Sequence, residues 1–538
     1  MVRSYKCLIH RYLISIIFLL ILTGGVFVNS ALFKEVENTP KEYFILISLT
    51  SLLIVCLVSS NCLRQLKKSV TISFFLNGIT VVCFLTTIHG LLQFFGLITS
   101  HHSAFPITGT FDNPAGFAAV QTALFPFVFN SCFDKENGKF LHFFSISVVV
   151  LCFISVVLSG SRAGFLALCT SIIVILAYDE TIVALFKSHR WLWLPLLLLV
   201  VLSSIMLYLL KQDSADGRLF IWSRCLEIIK ERPLLGYGMS GFRQYYMSAQ
   251  ANYFRANPGS SFIMLSDNVG HPFNEYIRLI IQFGLVGFLI AVIILVIIVR
   301  KLLKCDKPTK VLGLSFVSSI FVMCQFSYPF RYAAVWLLAS FAIIPAFINK
   351  GNKTYLIPAY IRIMLSCSLL IFLAGTLRRM YYEMKWSEIS ERAVVGQSKK
   401  MLKYYSEMKH VMSHDPLFLY NYAAELNYNG QYLESIEIVK QCARMWNDYD
   451  VQILLANNYA YLKDKDSAIQ SYEQAYNMIP CRFEPLYGEM LVYMESNDTL
   501  NVIRVADIIN EKPVKVRSDR VSFIVQRAQQ AIIDYDHY

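Results

Sequence analysis

The chain has 538 residues, 56% of them hydrophobic and only 16% charged, with a mean hydropathy of +0.48 and a formal charge of +12. A soluble chain of this length divides into several domains and carries more charge, so a water-soluble enzyme is excluded. Nucleic acid is not indicated either, because the basic residues fall in short groups between apolar runs, and the 13 cysteines form no CxxC pair that would suggest a metal site or a disulfide framework.

In chain order, apolar segments able to cross a bilayer are predicted at 12–32, 42–60, 70–98, 115–132, 140–160, 163–185, 191–210, 275–299, 310–327, 332–349 and 356–377, about eleven transmembrane helices. The first follows Arg3, Lys6 and Arg11 and reads as an uncleaved signal-anchor, since about ten spans come after it. Segment 70–98 is long for one crossing and is expected to tilt or break at Gly90. Basic groups occupy every second gap (Arg64, Lys67 and Lys68; Lys135 and Lys139; Lys187 and Arg190; Arg300 to Lys310; Lys350 and Lys353), which places the amino terminus in the cytoplasm. The alternate gaps, around Lys34–Lys41, His101–Pro114 and Ser327–Arg331, carry few. An odd number of spans puts a large polar loop, at about 211–274, on the opposite side together with everything beyond 377.

Three stretches carry residues suited to chemistry. In Leu158-Ser-Gly-Ser-Arg-Ala-Gly164, Arg162 sits at a membrane helix end between glycines that leave room for a ligand. Its ordinary reading is a snorkelling side chain, but an arginine at that depth is costly and usually has a partner. In Asp216-Gly-Arg-Leu-Phe-Ile-Trp222, apolar Leu219, Trp222, Leu226 and Ile229 recur at helical spacing. This predicts an interfacial helix from about Arg218 to Glu231, with Trp222 at headgroup level and Arg218 in its first turn, where backbone N–H groups favour an anion. Arg224 and Lys230 read as solvated charges. Pro233 ends the helix, Gly236-Tyr-Gly238 makes a flexible return, and Arg243 follows in the loop. In His271-Pro-Phe-Asn-Glu-Tyr-Ile277, Pro272 keeps His271 in the loop before the next helix, where an imidazole can take a proton from a hydroxyl. Asn274 is placed to cap or orient neighbours.

Beyond Thr376 the composition turns charged and Tyr-rich. Asp415–Asn447 and Asp448–Pro480 align at a period of 33, with Gly430-Gln-Tyr-Leu-Glu-Ser-Ile436 matching Lys463-Asp-Lys-Asp-Ser-Ala-Ile469. The second unit continues with Tyr472, Ala475 and Pro480, so the pattern resembles the tetratricopeptide repeat, one residue short per unit. Flanking helices at about 386–410 and 483–535 are expected to cap the stack. The fold class is therefore all-α: a polytopic helical membrane domain, 1–377, followed by a soluble tetratricopeptide-like α-solenoid, 378–538.

Gly-Thr-Phe-Asp-Asn-Pro114, Ser161-Arg162-Ala-Gly164, Gly217-Arg218…Trp222, Gly236-Tyr-Gly238 and Asn274-x9-Gly284-x-x-Gly287, in this order, resemble the O-antigen ligase and polymerase family over about 1–377, most strongly over 105–290. The resemblance implies an inverting transferase that moves a glycan from a polyprenyl diphosphate to an acceptor hydroxyl at the outer face of the bacterial inner membrane. It also implies that Arg162 and Arg218 bind the diphosphate, with Arg243, Asn113, Asn274 and Glu275 as further diphosphate or glycan contacts. The family's ligases place their catalytic His directly before the Asn of the last motif. Here that position is Phe273, so the candidate base is His271, or Glu275, or none. Gln282 is a second departure, since relatives often carry Glu. No cofactor is expected, and no metal, the loop having no Asp-x-Asp pair. The implied partners are the lipid-linked donor, an acceptor that is a glycan, lipid A-core or a protein, membrane lipids and an envelope protein at the repeat domain. A polar-solute transporter and a membrane-anchored scaffold are the rivals from other classes. Against the first stands the lack of an inverted repeat of spans.

Overall fold

The computed structural model describes residues 2–58, 72–134, 137–180, 183–184, 188, 198, 212–347 and 358–535, and among these it is helical with no β-strand. The predicted span 191–210 lies outside the described residues except for Leu198, and Arg64, Lys67, Lys68, Lys135, Lys187, Arg190, Lys350 and Lys353 lie outside them too. The helices are α1 Val2–Phe27, α2 Thr39–Val58, α3 Ile72–Phe94, α4 Pro114–Ser131, α5 Lys139–Leu158, α6 Arg162–Leu176, α7 Gln212–Glu231, α8 Gly241–Ala256, α9 Glu275–Leu303, α10 Lys307–Phe326, α11 Ala333–Ile343 and α12 Ala359–Arg392. Then follow α13 Ser398–Met412, α14 Pro416–Tyr428, α15 Tyr432–Ala443, α16 Tyr449–Tyr461, α17 Lys465–Met478, α18 Glu484–Glu495, α19 Thr499–Glu511 and α20 Asp519–Tyr535.

Six helices among the described residues are long and apolar enough to cross a membrane, and three shorter apolar ones, Ser15–Phe27, Arg162–Leu176 and Ala333–Phe347, accompany them. The structure thus supports a membrane protein, and six of the eleven expected spans is the number that length and apolarity alone support among the described residues. Two boundaries also differ. α3 runs through Gly90 without a break, and that glycine serves packing: a Cβ there would stand 2.7 Å from the Phe117 ring. α12 continues past 377 to Arg392. Its charged half, with Arg379 and Glu383 paired at 2.8 Å one turn apart, is made of residues with good helix propensity, so polarity changes while the backbone does not.

The chain forms two compact units. The first comprises 1–207, 273–275 and 291–384. At its centre is α4, buried on all sides from Gly116 to Val128. Its small residues Ala118, Ala119 and Ala123 let neighbouring helices approach, as membrane helices require in place of a hydrophobic driving force. The amide of Gln121, wholly buried there, donates to Thr87 Oγ1 at 2.8 Å and accepts from Thr86 Oγ1, which satisfies a polar group that would otherwise be costly.

The second unit comprises 208–272, 276–290 and 385–538, so the large loop and the carboxy-terminal helices form one body. The 33-residue period is visible in its packing: Ala423 and Ala456, Ser435 and Ala468, and Cys442 and Ala475 are matching pairs, all fully buried where helices cross. Asp415 and Asp448 cap α14 and α16 at the same spacing, accepting from Leu417 N and Val451 N. The tight turns carry positive φ at Gly430, Lys463 and Asn497. The last of these reveals a third hairpin, α18 and α19, within the stretch 483–535 expected as flanking helix.

Candidate functional site

The loop is organised by a backbone crossing. Pro233 ends α7, and the following strand-like segment pairs with the middle of α9: Leu285 N donates to Pro233 O at 2.8 Å and Val286 N to Leu234 O at 3.2 Å, while Tyr237 N donates to Ile281 O at 2.9 Å and Gly238 N to Gln282 O at 2.8 Å. Gly284 breaks the α9 ladder with φ 65° and ψ −170°, a conformation open essentially to glycine alone. A Cβ on Gly284 would overlap the Leu234 carbonyl, and one on Gly236 would come within 2.6 Å of Ile281 O. The segment Gly236-Tyr-Gly238 is therefore a fixed crossing, not the flexible return expected. Gln282 belongs to it: its Nε2 donates to Met239 O at 2.7 Å, a bond that a glutamate carboxylate has no proton to make.

α7 differs from expectation in where it starts and what it buries. Its first described residue is Gln212, so Arg218 lies in the second turn, where backbone N–H groups are already committed to the helix. Phe220, Ile221, Cys225 and Ile228 form its buried face, while Leu219 and Leu226 of the predicted stripe are exposed. Trp222 donates Nε1 to Pro272 O at 2.9 Å. Because Arg218 and Trp222 are one turn apart on the same face, this bond sets the Arg218 side of α7 toward the His271–Pro272 loop. Arg224 is not a solvated charge: its guanidinium lies 4.2 Å from the Tyr253 ring centroid and pairs with Glu227 at 2.6 Å.

Arg243 is exposed in the first turn of α8, and its carbonyl accepts from Asn447 N at 3.1 Å. Further bonds join loop and repeats in the same unit. Gln250, 1% exposed, donates to Met478 O at 2.6 Å, Asn268 donates to the carboxylates of Asp448 and Asp450, and Arg482 pairs with Asp267 at 3.2 Å. Buried amide and carboxylate groups with matched partners fix one register, because each left unpaired would be costly. Burial raises the Asp448 pKa from its ordinary value, offset in part by the Asn268 bond. A carboxylate whose pKa is higher folded than unfolded contributes stability at low pH that is lost as pH rises through its range. The thermal stability of the wild type should therefore fall with rising pH more than that of Asp448→Asn, which keeps the oxygen that caps α16; equal slopes in melts across acidic pH would contradict this.

In the first unit, Arg162 opens α6 with Ser161 as cap, its Oγ accepting from Gly164 N at 3.2 Å. Gly164 is needed for packing, since a Cβ would lie 2.9 Å from Ala118 Cβ. Asn113 caps α4, Oδ1 accepting from Ala115 N at 2.8 Å and Gly116 N at 3.2 Å. It also meets the hydroxyls of Tyr328 at 3.2 Å and Tyr332 at 3.3 Å. Asn113→Ala is expected to cost about 1 kcal/mol for the cap and to remove one hydrogen bond from each tyrosine hydroxyl, read as a lowered melting temperature, whereas Asn113→Asp should keep the cap. Asn274, 4% exposed, stands directly before α9, and Glu275 is its first residue. Phe273 between them and the loop has φ 53°, unusual for a bulky side chain and costing about 1–2 kcal/mol. Thus Asn113, Arg162, Asn274 and Glu275 belong to one unit, and Arg218, Arg243 and His271 to the other.

One set of polar residues escaped the sequence reading. Arg331 pairs with Glu35 at 2.7 Å and Asp112 at 3.4 Å, and buried Lys41 donates to Thr110 O at 2.7 Å and to Asn29 Oδ1 and Glu37 O. Burial opposes the Arg331 charge, but Asp112 and Glu35 outweigh it and raise its pKa. A count of basic residues alone passes over these gaps, where acids accompany Lys41 and Arg331. The available signal was the acid-base balance of Glu35, Glu37 and Lys41 within one short gap.

Residues 147–292 match the O-Antigen ligase family model. No curated protein and no solved structure matches the chain. The O-antigen ligase match begins in α5 and ends in α9, so it contains Arg162, Arg218, Arg243, His271, Asn274, Glu275 and both sides of the glycine crossing. Asn113 and the repeats lie outside it. Among the described residues no group of three or more His, Cys, Asp or Glu is placed to hold a metal ion.

Proposed function

We propose that the chain transfers a glycan from a polyprenyl diphosphate to an acceptor hydroxyl on the periplasmic side of the bacterial inner membrane. The match to O-antigen ligases over 147–292 is the observation that carries this reading, because it spans six of the seven candidate residues. In the proposed topology about eleven spans place the loop and the tetratricopeptide-like repeats in the periplasm, with the amino terminus in the cytoplasm. Arg162 and Arg218 are the proposed diphosphate ligands. Arginine keeps its charge and offers a planar fork suited to phosphate oxygens. The acceptor oxygen attacks the sugar C1, the C1–O bond to the diphosphate breaks with inversion, and the released diphosphate takes the electron pair. His271 is the proposed base for the acceptor proton, with Glu275 as alternative. Fixed cations at the diphosphate stabilise the charge that grows as the bond breaks, which leaves no step that requires a metal.

The acceptor sets the name of the activity: lipid A-core for a ligase, a second repeat unit for a polymerase, Ser or Thr for protein glycosylation. Deleting the gene should accumulate the lipid-linked oligosaccharide in the cells that make it, and wild-type protein but not Arg218→Ala should clear it. Unchanged lipid-linked pools on deletion would contradict the reading.

A further inference from the structure

The glycine crossing carries an apolar tip. Leu234, Leu235 and Met239 are 63%, 75% and 71% exposed, although their segment is held firmly by backbone hydrogen bonds. In an unbroken α9, Leu285 N would donate to Ile281 O and Val286 N to Gln282 O. Gly284 opens both bonds. The two N–H groups donate instead to Pro233 O and Leu234 O, and the two carbonyls accept from Tyr237 N and Gly238 N. All four groups freed by the break are satisfied by the loop, which is the condition for non-helical backbone at membrane depth.

The same register fixes how deep the tip lies. Leu234 is level with Val286, while Met239 is level with Gln282, whose Nε2 donates to its carbonyl. α9 is long and apolar enough to cross a membrane. Its uninterrupted apolar run, the 17 residues Phe283–Val299, lies between Gln282 and Arg300. Such a run rises about 26 Å as a helix, less than the roughly 30 Å of a hydrocarbon core. The whole run is therefore needed to cross, and Leu285 and Val286 lie inside the apolar layer. Leu234 and Leu235 are tied to that turn, and just beyond it α9 exposes Leu289 and Ile290. Toward the loop the side chains become polar. Arg232 lies 4.9 Å from the Tyr237 ring centroid, and Tyr237 donates its hydroxyl to Glu231 at 2.7 Å, an aromatic and basic pairing suited to headgroup level. We propose that Leu234 and Leu235 form a re-entrant tip embedded among the phospholipid acyl chains of the leaflet on the loop's side. The large loop is then anchored in the bilayer at a second place besides its helix ends. This rests on the membrane character of the chain and is independent of glycan transfer.

Spin-label accessibility tests it, on the purified full chain in phospholipid nanodiscs holding one copy each. Nitroxides are placed through Leu235→Cys, Met239→Cys, Leu289→Cys and Leu500→Cys, and the signal of unsubstituted protein labelled alike is subtracted for its native cysteines. Leu500, 81% exposed at the start of α19, reports water, and Leu289 reports the span. Leu234→Cys serves in place of Leu235→Cys should the latter not give a monodisperse protein. The ratio of oxygen to nickel-chelate collisions at 235 is expected to exceed that at 500 by about tenfold, because a polar chelate is excluded from hydrocarbon. It should approach the ratio at 289, with 239 between. Nickel collisions at 235 as frequent as at 500 would overturn the proposal by placing the tip in water. Rare collisions with both reagents would overturn it in favour of a protein cover. Nickel exclusion that appears only after undecaprenyl diphosphate is added would overturn it in favour of an isoprenoid site.

Discussion

Replacing Arg218 by alanine is expected to slow glycan transfer by about 10²–10³-fold while leaving the protein folded. Arg218 lies on α7 beyond the buried Phe220–Ile228 face, beside Gly217, whose missing side chain has open space around it. The loss should fall mainly on kcat, because charge on the leaving diphosphate is greatest in the transition state. Arg218→Lys should recover only part of the rate, since an ammonium supplies charge without the bidentate fork. Single-turnover release of polyprenyl diphosphate at saturating donor separates these cases. An Arg218→Ala protein with normal kcat and a raised KM would make Arg218 a binding residue without a transition-state role.

Gly284→Ala is expected to be strongly destabilising. It fails twice: the backbone at φ 65° and ψ −170° admits essentially glycine alone, and the new methyl overlaps the Leu234 carbonyl. Relief requires breaking the four backbone bonds that join 233–238 to 281–286, so the expected cost is about 3 kcal/mol or more. Thermal unfolding followed by size-exclusion chromatography should show a large drop in midpoint or loss of the monodisperse peak. Gly217→Ala is the control: with nothing near its Cβ, it should be neutral or slightly stabilising, as alanine is in a helix interior. A Gly284→Ala protein as stable as wild type would contradict the crossing.

What the sequence displayed, and what it hid, follows from how each feature is encoded. The helical class, the large loop and the 33-residue period rest on local patterns of apolarity and small residues, and Ala423, Ala456, Ser435 and Ala468 occupy the buried crossings that period implies. The motif glycines were visible as letters, but their reason was not, because Gly236 and Gly284 meet only through a contact between segments some fifty residues apart in sequence. The α7 face was misjudged for a similar reason. Leu219, Trp222 and Leu226 form as regular a stripe as Phe220, Ile221, Cys225 and Ile228, and only the neighbours Tyr253 and Phe254 decide which is covered. The union of loop and repeats through Gln250, Asn268 and Arg482 depends on polar side chains whose partners lie about 180–230 positions away, beyond any local pattern. Charge networks such as Arg331 with Glu35 and Asp112 are hidden because they neutralise themselves.

The most direct test is release of polyprenyl diphosphate by the purified protein given native lipid-linked oligosaccharide and candidate acceptors, with and without EDTA, for wild type, Arg218→Ala, Arg162→Ala and His271→Ala. Release by wild type that survives EDTA and is lost in both arginine variants is the result expected, with His271→Ala showing whether the imidazole takes the proton. No release with any acceptor from a well-folded sample, or release indifferent to both arginines, would contradict glycan transfer at this site.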